Sequence, residues 1–253
     1  MSPELRACAV VPTFENPITV RTVVERIRAH GIDVVLVDDG SGPPGRAACD
    51  EVAAAKLATL VRLETNQGKG SAVMAGFQVA SELGYTHAFQ IDADAQHDLD
   101  SIPTFLEASR SQPDALVLGF PIYDETVPSS RRIGRKFTAM WVALEVGSRT
   151  KIQDAMIGFR VYPLASTLAI KSMGRGMDFD IEVAVRMVRA GVPTVNLPVR
   201  VFYHSAEDGG VSHFHVVKDN LSFSFLHARL CTAGLFGWIW KSLFGRTAHG
   251  QSK

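Results

Sequence analysis

Short, unbroken apolar runs, each separated from the next by one stretch of helical period, restrict this chain to few architectures. Ala7-Cys8-Ala9-Val10-Val11-Pro12 reads as a buried strand ending at proline, and residues 17–30 then carry Val20, Val23, Val24 and Ile27 on one helical face. Asp33-Val34-Val35-Leu36-Val37-Asp38 is a second strand, residues 40–45 a Gly/Pro loop, and residues 46–58 a helix. A strand at 59–63, a helix at 70–83 and a strand at 87–91 continue the alternation. Strands that are apolar throughout are covered on both faces, and single intervening helices make them mostly parallel. The expected class is α/β, a mostly parallel sheet with helices on both faces. The second half is less regular, with a basic helix at 131–146, a strand at 158–162, a helix at 179–190 and a strand at 195–203. Residues 1–212 are expected to form the α/β domain, and residues 213–253 an amphipathic helical tail.

Bulk properties exclude several classes. A hydrophobic fraction of 46% against 21% charged builds a core and rules out disorder. Lys plus Arg equals Asp plus Glu, 26 each, so no global charge favours nucleic acid and any attraction for phosphate must be local. Cys8, Cys49 and Cys231 match neither a metal-ligand spacing nor a disulfide framework, which fits reduced thiols in a cytoplasmic protein. Glu4 stands where a secretory leader would be basic, and no segment reaches the roughly 18–20 apolar residues of a membrane span.

In parallel sheets ligands bind outside the carboxyl ends of the strands. The polar residues fall there: Glu15 and Asn16 after the first strand, Asp38 and Asp39 after the second, Asp92 and Asp94 after the fourth. Two carboxylates at i and i+2 on a strand-ending turn can share one hard divalent ion, Mg²⁺ or Mn²⁺, with Gln96 adding an amide oxygen. A solvated acidic loop capping a helix near residue 101 is the alternative, and the acids at the other strand ends weigh against it. Asp38 and Asp39 can accept hydrogen bonds from a base or ribose, or make a plain Asp-Gly turn. Asn66-Gln67-Gly68-Lys69-Gly70-Ser71 fails the Walker pattern; it is a tight strand-to-helix turn whose Lys69 can reach a nucleotide.

Arg131, Arg132, Arg135 and Lys136 form either a solvated helix face or a phosphate-binding cluster. Asp180 is the first and Asp154 the second choice for a general base toward an acceptor hydroxyl. For Asp178 and Asp180, a helix N-cap competes with that role. His213 and Lys218, in the Gly-containing stretch 204–218, suit a lid that meets phosphate; His213 and His215 lack a third ligand for zinc. In the tail, Leu235, Phe236, Trp238, Ile239 and Trp240 stand among His227, Arg229, Lys241 and Arg246. That mixture suits a helix in a membrane interface or one packed on protein.

Taken in order, Val11-Pro12-Thr13-Phe14-Glu15-Asn16, Val37-Asp38-Asp39-Gly40-Ser41, Asn66-Gln67-Gly68-Lys69-Gly70 and Asp92-Ala93-Asp94 resemble the motifs of the inverting family 2 glycosyltransferases of GT-A fold. Asp92 to His97, Asp154 to Arg160, Phe179 to Glu182 and Gly210 to His213 are similar to the branch that transfers sugars to polyprenyl or dolichyl phosphate. Tyr123-Asp124-Glu125, Phe159 to Pro163 and Val211 to Phe214 are closer to soluble bacterial members associated with aryl-polyene lipid biosynthesis. Ala155-Met156-Ile157-Gly158-Phe159 replaces the branch's Pro-x-Ser-Gly-Phe, and the lid carries extra residues. The resemblance implies a nucleotide-binding GT-A sheet, a metal on Asp92, Asp94 and Gln96, and phosphate-binding arginines at Arg131, Arg135 and Arg200.

The expected activity is metal-dependent transfer of a sugar from a UDP- or GDP-sugar to a lipid-linked acceptor, a polyprenyl phosphate or an aryl-polyene-type precursor. Such a protein works in the cytoplasm, at the surface of the inner membrane. A soluble or polysaccharide acceptor is the alternative. A sugar-nucleotide pyrophosphorylase would need a Gly-rich loop after Pro12, and a non-catalytic binding module would not need both Asp92 and Asp94.

Overall fold

Seven strands form one sheet. β1 (Ala7–Thr13), β2 (Asp33–Asp39), β3 (Thr59–Leu63), β4 (His87–Ile91), β5 (Leu116–Ile122), β6 (Phe159–Pro163) and β7 (Thr194–Arg200) lie in the order β3-β2-β1-β4-β6-β5-β7. Neighbours pair in parallel except at β6, which is antiparallel to both β4 and β5. The helices are α1 (Val20–Ala29), α2 (Pro43–Ala54), α3 (Lys69–Glu82), α4 (Ile102–Ser111), α5 (Ser129–Val146), α6 (Leu164–Leu168) and α7 (Phe179–Arg189). This computed structural model describes residues 5–122, 129–170, 174–202 and 223–232, with the side chains of α5 from residue 135 onward. The chain divides into two compact units, Met1–Phe214 and His215–Lys253. In the second, residues 223–232 are helical. Expectations for Tyr123 to Glu125, His213, Lys218, the side chains of Arg131 and Arg132, and residues 233–253 lie outside the described residues.

Alternate residues of each central strand face opposite layers, and both layers are dry. Ala9, Val11, Leu36, Phe89, Ile91 and Phe159 join Val23, Val24 and Ile27 of α1 and Phe105 of α4 in one core. Phe89, Phe105 and Phe159 pack ring against ring at centroid distances of 4.7 to 5.5 Å. Each such side chain contributes about 1.5–3 kcal/mol by leaving water. On the other layer, Gly76 of α3 lets the helix approach Val10 and Val37 closely, and Phe77 meets Tyr162 at 4.9 Å.

Three local features depart from the sequence reading. β5 was not expected, although Leu116-Val117-Leu118 is fully buried. The second helix starts at Pro43 rather than residue 46, because prolines at the first helical positions lack only amides that have no intrahelical partner. β6 runs against the sheet.

Asp38 at the end of β2 is inaccessible to solvent, accepts from Ser41 N at 2.9 Å and pairs with Arg62 Nε at 3.0 Å. Burial raises its pKa, but Ser41 and Arg62 outweigh burial and leave the carboxyl below its ordinary value. Stability from such a group is present above its unfolded pKa and lost as pH falls through the folded one. Arg62→Met is therefore expected to cost about 2 kcal/mol at pH 7. In urea titrations the difference from the parent should shrink as pH falls below about 4 and close only below the depressed pKa of the parent's Asp38, where both proteins carry it protonated.

Candidate active site

All strands but β6 end at one edge, so the turns after β1, β2 and β4 share a rim. The chain leaves β4 at Asp92, tucks Ala93 into the core and accepts a hydrogen bond from Thr19 Oγ1 on the Ala93 carbonyl at 2.6 Å. Ala95 turns the chain with φ of +59°, and Asp94 Oδ1 accepts from Gln96 N at 3.0 Å. Residues 96–98 then pair with the end of β7: Phe202 N donates to Gln96 O at 2.8 Å and Asp98 N to Arg200 O at 3.1 Å. The acidic turn is thus fastened to the strand that ends in Arg200, whose side chain is exposed.

Because β6 is antiparallel, it begins at this same edge. Phe159 lies opposite Ile91, which puts Gly158 against the Asp92 carboxylate. A Cβ on Gly158 would stand 2.3 Å from Asp92 Oδ2 and 2.4 Å from Oδ1. The turn before Gly158 is held by Asp154, whose Oδ1 accepts from Met156 N and Ile157 N at 2.8 and 2.9 Å. Its Oδ2 accepts from Arg135 Nη1 of α5 at 2.6 Å.

Lys69 opens α3 and comes to the rim through Gly68, where φ is +93° and a Cβ would stand 2.4 Å from the Arg175 carbonyl oxygen, so a side chain is excluded. Asp39 fixes this turn by accepting from Gln67 N at 2.8 Å and Gly68 N at 2.9 Å. Lys69 Nζ donates to Asp92 Oδ2 at 2.8 Å and lies 3.0 Å from Asp180 Oδ2. Asp92 Oδ1 is equally near, at 2.8 Å, but accepts no hydrogen bond from it. Burial alone would lower the lysine pKa; Asp180 and Asp92 override it and raise the pKa, so the ammonium stays charged. Asp180 Oδ1 accepts from Gln90 Nε2 of β4 at 2.9 Å, and its backbone carbonyl accepts from Arg160 Nη1 of β6 at 2.5 Å.

The rim therefore gathers Thr13, Glu15, Asp39, Lys69, Asp92, Asp94, Gly158 and, through the 96–98 pairing, Arg200. Glu15 has φ of +53° and accepts from Gly42 N at 2.6 Å, joining the β1 and β2 turns, while Pro12 and Phe14 flank Thr13. Asp38, Asp39, Asp154 and Asp180 have both carboxylate oxygens engaged within the protein. Among the described residues, Asp92 Oδ1 meets only the Lys69 ammonium, at 2.8 Å, the second oxygen of Asp94 accepts no hydrogen bond, and the Gln96 side-chain amide is half-buried without one. Two hard carboxylates and an amide oxygen fit a divalent cation and leave coordination places for diphosphate.

Gln90 and Arg160 were not assigned roles from sequence. They are register partners on β4 and β6, both fully buried, and both abut Asp180. The available signal was a polar residue inside each of two otherwise apolar strands, which burial makes costly unless it is bonded.

The architecture is that of the GT-A glycosyltransferases. The Mn²⁺- and UDP-glucose-bound glucosyl-3-phosphoglycerate synthase of Mycobacterium tuberculosis superposes with a TM-score of 0.67 at 15% identity, over 92% of this chain and 79% of that one. The sequence model of glycosyl transferase family 2 matches residues 8–167, and the chain belongs to that family. The undecaprenyl-phosphate mannosyltransferase of Micrococcus luteus is 28% identical over 225 residues, 82% of this chain and 89% of its own length. The polyprenol monophosphomannose synthase of Mycolicibacterium smegmatis is 24% identical over 207 residues, 78% of this chain and 77% of its own. The protein is a glycosyltransferase.

Proposed function

We propose that the protein transfers a sugar from a nucleoside-diphosphate donor to the phosphate of a lipid-linked acceptor, with a divalent cation held by Asp92, Asp94 and Gln96. The observation that carries this reading is the state of the two acids placed to act as base. Asp154 and Asp180 each have both oxygens engaged, and Asp180 is 2% exposed. An acceptor hydroxyl needs a base that can reach it, and these two carboxylates are committed to cations and amides of the protein. A phosphate is already an anionic nucleophile and needs none. The polyprenyl-phosphate activity named for both relatives supports the same acceptor chemistry.

In this mechanism Thr13 and Glu15 face the donor's base, while Asp39 holds the turn that presents Lys69. When bound, the cation neutralises charge on the diphosphate leaving group. Gly158 leaves room for the Asp92 carboxylate, and Arg200 offers positive charge to phosphate beside the acidic turn. The acceptor oxygen attacks the anomeric carbon opposite the departing diphosphate. The new carbon–oxygen bond forms as the old one breaks, configuration inverts, and the nucleoside diphosphate leaves.

The test uses radiolabelled UDP- and GDP-sugars with a membrane-lipid extract and Mn²⁺. Label is expected in the organic phase, and is expected to vanish with EDTA and in Asp94→Ala. Label found only in water-soluble products would overturn the acceptor. Transfer that persists unchanged in EDTA and in Asp94→Ala would overturn the metal.

A further inference from the structure

We propose that Lys69 is the resident counter-ion of Asp92 and releases it to the divalent cation only when a nucleoside diphosphate is present, so that cation and donor bind as a coupled pair. The role rests on the metal reading above. The Lys69 ammonium stands 2.8 Å from each Asp92 carboxylate oxygen and 3.0 Å from Asp180 Oδ2. It therefore covers both oxygens of a carboxylate that a hard cation would use. Asp92 has no room to turn away, because a Cβ on Gly158 behind it would stand 2.3 Å from Oδ2. Asp92 Oδ1 is closed to water and accepts no hydrogen bond, although the ammonium lies beside it. Buried polar atoms are ordinarily paired, so this oxygen is a ligand still to be used.

Asp180 gives Lys69 a second anion. The main chain at the start of α3 is fixed: Asp39 holds the amides of Gln67 and Gly68, Ser71 N donates to the Arg175 carbonyl at 3.3 Å, and a Cβ on Gly70 would stand 2.5 Å from Phe179 Cβ. The ammonium moves only by rotation of its own side chain. Asp180 is fixed too, through Gln90 at Oδ1 and Arg160 at its backbone carbonyl, and presents Oδ2 to Lys69. Hard divalent ions bind oxygen at about 2.1 Å, so one on Oδ1 comes within about 5 Å of an ammonium that lies 2.8 Å from that oxygen. At that range, in a largely buried site, the two positive charges repel. A diphosphate reverses the balance, because its oxygens attract the cation and the ammonium together. Lys69 then keeps Asp180 and gains phosphate, while Asp92 is left to the cation. Cation and diphosphate each strengthen the other's binding by the same factor.

The experiment is calorimetric titration of the full chain with Mn²⁺, alone and with saturating UDP or GDP. The parent is expected to bind Mn²⁺ at least about tenfold more tightly with one of the nucleotides than without. In Lys69→Met, Mn²⁺ alone should bind about tenfold more tightly than it does in the parent, and the gain from nucleotide should shrink. The direction decides the matter: if Lys69 only kept Asp92 in place, its loss would weaken Mn²⁺ binding. Lys69→Met/Asp180→Asn removes one charge of each sign and leaves no stranded carboxylate at residue 180, so it repeats the test in a more stable protein. It should show the same tightening. Mn²⁺ affinity at or below the parent's in a folded variant overturns the inference and leaves the metal site standing. So does a parent that binds Mn²⁺ equally well with and without nucleotide. A parent that binds no Mn²⁺ with either nucleotide overturns the metal reading, and the inference with it.

Discussion

Gly158→Ala is expected to lower kcat/KM by roughly 10²-fold or more while leaving the melting temperature within a few degrees of the parent. The added methyl would stand 2.3 and 2.4 Å from the two carboxylate oxygens of Asp92, well inside contact distance. Gly158 does not have the positive φ that would itself penalise alanine, so the backbone has no other reason to object. Something must move, and β6 is paired on both sides, to β4 and β5. The carboxylate is the softer party. Its displacement takes Asp92 away from Lys69 and from the place where it would meet the proposed cation beside Asp94. The effect should appear in Mn²⁺ binding, measured by titration calorimetry with UDP or GDP present, as well as in rate. Wild-type metal affinity and rate in the variant would mean that Asp92 does not occupy this position in the working enzyme.

The first four strands are legible because each is a short apolar run between turn residues, and the observed β1 to β4 lie within a residue or so of those runs. β5 is harder to see, since Leu116-Val117-Leu118 is followed by Gly119-Phe120-Pro121, whose glycine and proline resemble a loop. In the fold the glycine answers to crowding, because a Cβ there would meet the Phe159 carbonyl at 2.8 Å. The direction of β6 is written nowhere in its own five residues; it depends on the route of the chain through α5. That direction brings Gly158 and Asp154 to the rim. The acids were legible as a set, because turn-borne carboxylates at strand ends stand out against apolar strands. Their partners were not. Gln90 reaches Asp180 across 90 positions and Gly68 reaches Asp39 across 29, so no local pattern distinguishes a ligand carboxylate from one already bonded.

Lys69→Met should have the largest effect on stability. The ammonium sits between Asp92 and Asp180, with side-chain exposures of 15%, 21% and 3%. Removing the ammonium leaves the 3%-exposed Asp180 carboxylate with the Gln90 amide as its side-chain hydrogen-bond partner, the Arg160 guanidinium being spent on the Asp180 backbone carbonyl. Breaking a buried ion pair from one side costs about 3–5 kcal/mol, because the surviving charge is uncompensated. For a chain of this size that is a fall of roughly 10 °C in melting temperature. Lys69→Met/Asp180→Asn removes the stranded charge and is expected to recover a good part of the loss. The resulting double-mutant cycle should give a coupling energy of about 2 kcal/mol. Strictly additive losses would mean that the two side chains do not meet. The same Asp180→Asn variant bears on catalysis, because Lys69 keeps Asp92 as a partner in it. Asparagine can still hold Gln90 but cannot take a proton. With a phosphate acceptor, transfer by Asp180→Asn is expected to stay within about tenfold of the parent. A fall of about 10²-fold or more in a protein that remains folded would make Asp180 the base after all. The acceptor would then be a hydroxyl.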